Sequence, residues 1–259
     1  MFVEMKYHPF GVILITILFG YNNVTTSWLE QNPEKMKLSK NLEKLLIELK
    51  YKYNPPVLLK KIFDEFYWNT TNNKILLTFD DGPIPESTEI ILEVLAKHKI
   101  KALFFCVGDN VKKYPELAKS ILTEGHTIGN HTFNHKILRT LSDQEKIFQI
   151  KSFNELLEND FNYKVEYFRP PHGRFQLGTN SLLNEFNLKN VMWSLLTYDY
   201  KNNFELVKFA VTNFMKKDSI IVLHDSIKSK NIIIESIEFI VEYAAENKFA
   251  FGEPSECLK

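Results

Sequence analysis

Five short segments carry side chains able to do hydrolytic chemistry. Two adjacent carboxylates close the apolar run in Thr78-Phe79-Asp80-Asp81-Gly82-Pro83. In α/β proteins the carboxyl edge of the strands is where ligands bind, so the position suits a paired acid site. His131 and His135 stand four residues apart. That spacing puts both imidazoles on one side if the stretch makes a single helical turn, and two imidazoles with one carboxylate form the three-ligand set of an open zinc site. In Phe168-Arg169-Pro170-Pro171-His172-Gly173 the two prolines hold the backbone extended and supply no amide donor, so the N–H of His172 can be fixed in direction, as an oxyanion requires. Arg169 can orient a carboxylate. Trp193 to Tyr200 runs from an apolar stretch into aromatic residues and Asp199, and aromatic faces beside polar groups suit sugar rings. Finally, Ile220-Ile221-Val222-Leu223-His224 delivers a histidine at the end of a buried-type run, where it can act as general acid or base.

Each segment also has an ordinary structural reading. Asp-Asp-Gly-Pro is a good solvated turn, two prolines make a rigid loop, and a histidine at a strand end is often a satisfied rim residue. Their weight comes from occurring together, each after a candidate strand.

The elements that must position them follow from periodicity. After Asn54-Pro55-Pro56, short apolar runs alternate with helical segments, which predicts βα units around a largely parallel sheet or barrel. Strands are expected at 74–79, 101–107, 126–129, 166–169, 190–194 and 219–223. Between them, Ile90, Ile91, Val94 and Leu95 mark one helix. Pro115 and Gly125 bracket a second, and Ser142 with Glu145 forms a capping box opening a third. His126 reads as a strand-end or supporting residue rather than a metal ligand.

Composition narrows the class. With 44% hydrophobic and 25% charged residues the chain is an ordinary globular one, neither disordered nor multi-pass. The 32 basic residues offset the 32 acidic ones, so no global field favours nucleic acid. Two cysteines are too few for a disulfide framework or a cysteine zinc site. Residues 1–54 read as an N-terminal extension. Within it, 6–21 is an ambiguous export signal or short anchor that gives possible membrane association, and leucines at 42, 45, 46 and 49 mark an amphipathic helical spacer.

The ordered set Asp-Asp-Gly, His-x-x-x-His, Arg-Pro-Pro-x-Gly, Trp-to-Asp-Tyr and Leu-His resembles the polysaccharide deacetylases with a NodB-homology domain, carbohydrate esterase family 4. The resemblance covers 55–259. It implies an α/β fold, a distorted (β/α)7 barrel, and one divalent metal, usually Zn2+, with Co2+ or Ni2+ compatible with the same ligands. It further implies that Asp81, His131 and His135 ligate the metal, Asp80 is the base that deprotonates the attacking water, and His224 protonates the departing amine. The backbone N–H of His172 would share the oxyanion, Arg169 would pair with Asp80, and Asp199 would orient His224. Pro171, Trp193, Tyr200 and Leu223 would contact substrate. The implied substrate is an N-acetylated glycan of the chitin-oligosaccharide or peptidoglycan type, which places the protein at the cell envelope or outside the cell. An O-acetyl esterase, a small-amide hydrolase and a membrane-tethered glycan-binding module are the competing readings; oligomeric state is not legible. Three positions depart from the family pattern: Leu196 replaces an Asp, Tyr200 a Trp and His172 a Tyr.

Overall fold

The computed structural model describes residues 51–259, of which Tyr53–Lys259 form one compact unit. The apolar segment at 6–21 and the leucine-patterned helix at 42–49 lie outside the described residues. No helix among the described residues is long and apolar enough to cross a membrane.

Seven strands form one sheet: β1 Leu76–Asp80, β2 Leu103–Cys106, β3 Thr127–Asn130, β4 Tyr167–Phe168, β5 Lys189–Asn190, β6 Leu195–Leu196 and β7 Ile220–His224. Their order is β5-β4-β3-β2-β1-β7-β6 and every pairing is parallel. The helices are α1 Val57–Ile62, α2 Thr88–His98, α3 Gly108–Lys113, α4 Pro115–Thr123, α5 Asp143–Phe161, α6 Thr179–Glu185, α7 Phe204–Phe214, α8 Ile233–Glu246 and α9 Pro254–Cys257. All residues of β1 and β2 are buried, as expected of parallel strands covered on both faces.

The sheet curls until Leu76, Leu103, Phe105, Tyr167, Val191 and Ile220 meet in one interior cluster, with Cys257 and Leu258 of the C-terminus packed into it. Because β5 and β6 do not pair, the barrel is incomplete on that side. Phe66, Trp68 and Met192 pack together there, and the Met192 N–H donates to the Tyr67 carbonyl at 2.8 Å. The strand expected over 190–194 is therefore two short strands flanking an irregular stretch. The physical reason is Arg169, whose guanidinium takes the carbonyls of Val191 (2.9 Å) and Met192 (2.8 Å) out of the ladder.

Helix boundaries follow local chemistry. The Ser142–Glu145 capping box opens α5, and Pro115 starts α4 with its missing N–H in a position that needs none. The expected stripe on α2 buries Ile91, Val94 and Leu95.

Candidate active site

Register places the two chemical ends of the site side by side. Asp80, the last residue of β1, lies opposite His224, the last residue of β7, and opposite Phe105 of β2. Neighbouring residues on a strand normally face opposite ways. Asp81 nevertheless reaches the same site as Asp80, because its φ of 79° turns the chain in the left-handed region as the strand ends. The turn is tied down by the Asp81 N–H on the Phe105 carbonyl (3.2 Å), the Val107 N–H on Gly82 (2.9 Å) and Asn110 Nδ2 on the Asp81 carbonyl (2.7 Å).

His131 and His135 converge without the helical turn that their spacing suggested; residues 131–135 form an irregular loop with Thr132 and His135 at φ of 69° and 57°. The organiser is Asn130 at the end of β3. Its Oδ1 accepts the Thr132 N–H (2.7 Å), while its Nδ2 donates to the Ile150 carbonyl (3.0 Å) and to Asn154 Oδ1 (2.8 Å) on α5. An Asx turn thus replaces the helix in bringing the imidazoles together.

His131 is buried, and its Nδ1 lies 2.8 Å from the Arg169 carbonyl. A carbonyl can only accept, so the proton sits on Nδ1 and Nε2 presents its lone pair to the cavity. Burial holds the His131 pKa down at about 4 against the pull of Asp80 and Asp81, which keeps the ring neutral. From its Nε2, Asp81 Oδ1 is 3.7 Å and Asp80 Oδ2 3.9 Å away; His135 Nε2 is 3.2 Å from Asp81 Oδ1. Burial would raise the Asp81 carboxyl, but the His135 hydrogen bond and the surrounding histidines hold it well below the usual carboxylate range.

Arg169 is the largest fully buried side chain. Besides the two carbonyls, its Nη1 donates to Asp80 Oδ1 (2.7 Å) and to Thr78 Oγ1 (2.7 Å), and Phe105 lies under the guanidinium at 4.1 Å. This clamp occupies Asp80 Oδ1 and leaves Oδ2 facing the imidazoles. On the other side, Asp199 Oδ1 sits 2.8 Å from His224 Nδ1, and burial, which would lower the His224 pKa, is outweighed by the Asp199 charge and hydrogen bond, so it is pushed up to about 9.

These groups open into a cavity of about 250 Å3 lined by Asp80, Asp81, His131, His135 and His224, with Trp193, Leu196 and Tyr200 among its walls. Two residues expected to contact substrate do not line it. Leu223 is fully buried because it alternates with Val222 and His224, which face the cavity, and it pairs with Phe79 on the opposite face; Pro171 is buried. His126 is also elsewhere, with Nδ1 accepting the Ala102 N–H at 3.1 Å.

One oxygen from Asp81 and one nitrogen from each of His131 and His135 all lie within 4.8 Å of one another. One carboxylate oxygen and two imidazole nitrogens, that of His131 with its tautomer fixed by a carbonyl, suit a divalent cation such as Zn2+ and leave the cavity side open.

Comparison with known proteins decides the lineage. The sequence profile described as polysaccharide deacetylase matches residues 68–191. A peptidoglycan-N-acetylglucosamine deacetylase of Bacillus cereus is 40% identical over 128 residues, 49% of this chain and 46% of the relative, so this chain spans about half the length of that protein. A chitooligosaccharide deacetylase of Azorhizobium caulinodans is 34% identical over 155 residues, 59% of this chain and 74% of the relative. The chain belongs to the polysaccharide deacetylase family. A crystal structure of a peptidoglycan N-acetylglucosamine deacetylase in complex with 4-naphthalen-1-yl-N-oxidanyl-benzamide superposes with a TM-score of 0.72 at 28% identity, over 78% of this chain and 96% of that one. The seven parallel strands and their curled, incomplete barrel are the polysaccharide deacetylase fold.

Within this chain the three departures from the family pattern all fall on the cavity wall, at Leu196, Tyr200 and His172. Sequence reasoning missed four contributors. Thr78 supports Arg169, and its place two residues before Asp80 on the same strand face could have revealed it. Val222 follows from the same alternation. Lys228 lines the cavity from the loop after β7 and carries no sequence signal. Asp225 directly follows His224; its N–H donates to the Asp80 carbonyl (2.8 Å), Thr88 Oγ1 donates to its Oδ2 (2.7 Å), and burial pushes its carboxyl up to about 7.

Proposed function

We propose that this chain is a metal-dependent hydrolase that removes N-acetyl groups from N-acetylglucosamine-containing glycans of the peptidoglycan or chitin-oligosaccharide type. The observation that carries the reading is the placement of Asp80 and His224 as register partners on adjacent strands, with the Asp81, His131 and His135 donor set in the same cavity. The named activities of the relatives support the substrate class.

An amide is a poor electrophile with a poor leaving group, so its hydrolysis needs a base, an acid and a stabilised oxyanion. A divalent cation held by Asp81, His131 and His135 supplies Lewis acidity and a water of lowered pKa. Asp80 takes a proton at Oδ2 while Arg169 holds Oδ1, so the base keeps its direction through the step. The His172 backbone N–H donates to the oxygen on which negative charge develops. His224 donates from Nε2 to the amide nitrogen as the C–N bond breaks, its Nδ1 held by Asp199. Acetate and a free amino sugar leave. Trp193, Leu196 and Tyr200 form the walls against which a sugar ring packs. A glycan of this type places the protein's work at the cell envelope or outside the cell.

The test compares acetate release by the full-length chain from N-acetylglucosamine oligomers, from peptidoglycan fragments and from an O-acetylated glycan. Faster release from the N-acetylated substrates supports the reading. Release from the O-acetyl ester alone replaces it with an esterase.

A further inference from the structure

The two imidazoles of the donor set are supported unequally. His131 is buried and anchored through Nδ1 to the Arg169 carbonyl. The His135 side chain is 30% exposed, rests on a left-handed residue, and among the described residues has no hydrogen-bond partner at Nδ1. Besides the Nε2 contact with Asp81, its ring packs against two other rings. His131 lies at 5.1 Å and His172 at 4.9 Å, the latter nearly perpendicular at 70°.

The His172 ring is mounted on a stiff support. Pro170 and Pro171 fix the chain before it, and Gly173 N–H to Pro170 (2.9 Å) and Arg174 N–H to Pro171 (3.1 Å) close the turn. Gly173 presses on Trp193 so closely that an added Cβ would sit 2.2 Å from the indole. A ring carried on a stiff backbone therefore stands edge-to-face against one whose polar anchor is a single contact, Nε2 to Asp81 Oδ1.

We propose that the His172 side chain is a positioning residue for His135. Its edge-to-face packing restricts rotation of the His135 ring and keeps Nε2 beside Asp81 Oδ1. This role is separate from the one given to the His172 backbone N–H, which every side-chain substitution retains. The inference rests on reading Asp81, His131 and His135 as a cation site.

The test uses the metal-free full-length chain, titrated with Zn2+ against a chromophoric chelator and, separately, with Co2+ monitored by visible absorption. His172→Ala is expected to weaken Zn2+ binding by about 3- to 10-fold, the worth of one edge-to-face ring pair, and to change the Co2+ band shape. His172→Phe keeps a ring without nitrogens and is expected to restore affinity to within about 2-fold of wild type. Because the side chain is exposed, both metal-free variants should stay folded at the temperature of the titration, with a lowered melting temperature where Ala or Phe fits the left-handed backbone at φ 56° less well, which melts of the same samples report. Affinity in His172→Ala equal to wild type overturns the inference and leaves the cation site standing. Affinity in His172→Phe as weak as in His172→Ala overturns it too, assigning the effect to a ring nitrogen. A wild type that binds no Zn2+ overturns the cation site itself.

Discussion

Asp199 grips His224 twice: Oδ1 lies 2.8 Å from the imidazole Nδ1, and Oδ2 accepts the His224 backbone N–H at 2.7 Å. Oδ1 also takes the Thr197 hydroxyl (2.9 Å). One carboxylate therefore sets both the ring's charge and its attachment to β7, and only Nε2 is left for the cavity.

Replacing Asp199 with Asn should lower the His224 pKa from about 9 and move the alkaline limb of the pH–rate profile downward, with activity at pH 8 falling by about 100-fold for loss of the general acid. A cation held by Asp81 would offset part of that carboxylate's charge and lower the wild-type limb. A profile unmoved in Asp199→Asn would detach His224 from the acid role.

Arg169→Leu should cost about 3–5 kcal/mol in urea unfolding, because it leaves the buried Asp80 carboxylate and the Val191 and Met192 carbonyls without their shared donor. Arg169→Lys should recover little of this, since one ammonium cannot reproduce the planar fork that serves both the carboxylate and the carbonyls.

Metal-free protein should be most stable near pH 6.5 and lose stability on both sides. His131 and His126 are each held down at about 4 by burial, so the unfolded chain takes up protons at both as pH falls from 6.5 towards 4; Asp225, pushed up to about 7, opposes this with one proton on the folded side, and the two histidines prevail. His224 is held up at about 9, so its contribution is complete below 6.5 and lost as pH rises through 9. Thermal melts across pH 4–10 check this; stability rising steadily to pH 4 would contradict the buried neutral histidines.

Gly173→Ala should destabilise the loop after β4 by about 1–3 kcal/mol, since φ is +63° and the added methyl meets Trp193. The same substitution shifts the His172 N–H, so kcat should fall more than the melting temperature alone explains.

The placement of the site was legible in the sequence: Asp80 and His224 close apolar runs whose buried character is visible in their composition, and the two strand ends lie side by side. Exit geometry was not legible. Nothing in His131 to His135 announces that Thr132 and His135 take left-handed conformations around an Asx turn built by Asn130. Nor does the apolar stretch from 190 to 194 announce that Arg169, more than twenty residues earlier, claims two of its carbonyls and splits the strand. Leu223 was misplaced for a simpler reason: period-two alternation assigns it away from the face that His224 occupies. Such long-range partners are set by packing, which no local window contains.

The most direct measurement is acetate release from N-acetylglucosamine oligomers and peptidoglycan fragments by the full-length wild type and Asp80→Asn, with bound zinc quantified in both. The account predicts zinc in each protein, release by wild type that stops on chelation and returns with Zn2+, and release by Asp80→Asn reduced by about 100-fold or more. Zinc-loaded Asp80→Asn working at the wild-type rate, or zinc-loaded wild type that releases no acetate from either substrate, would contradict it.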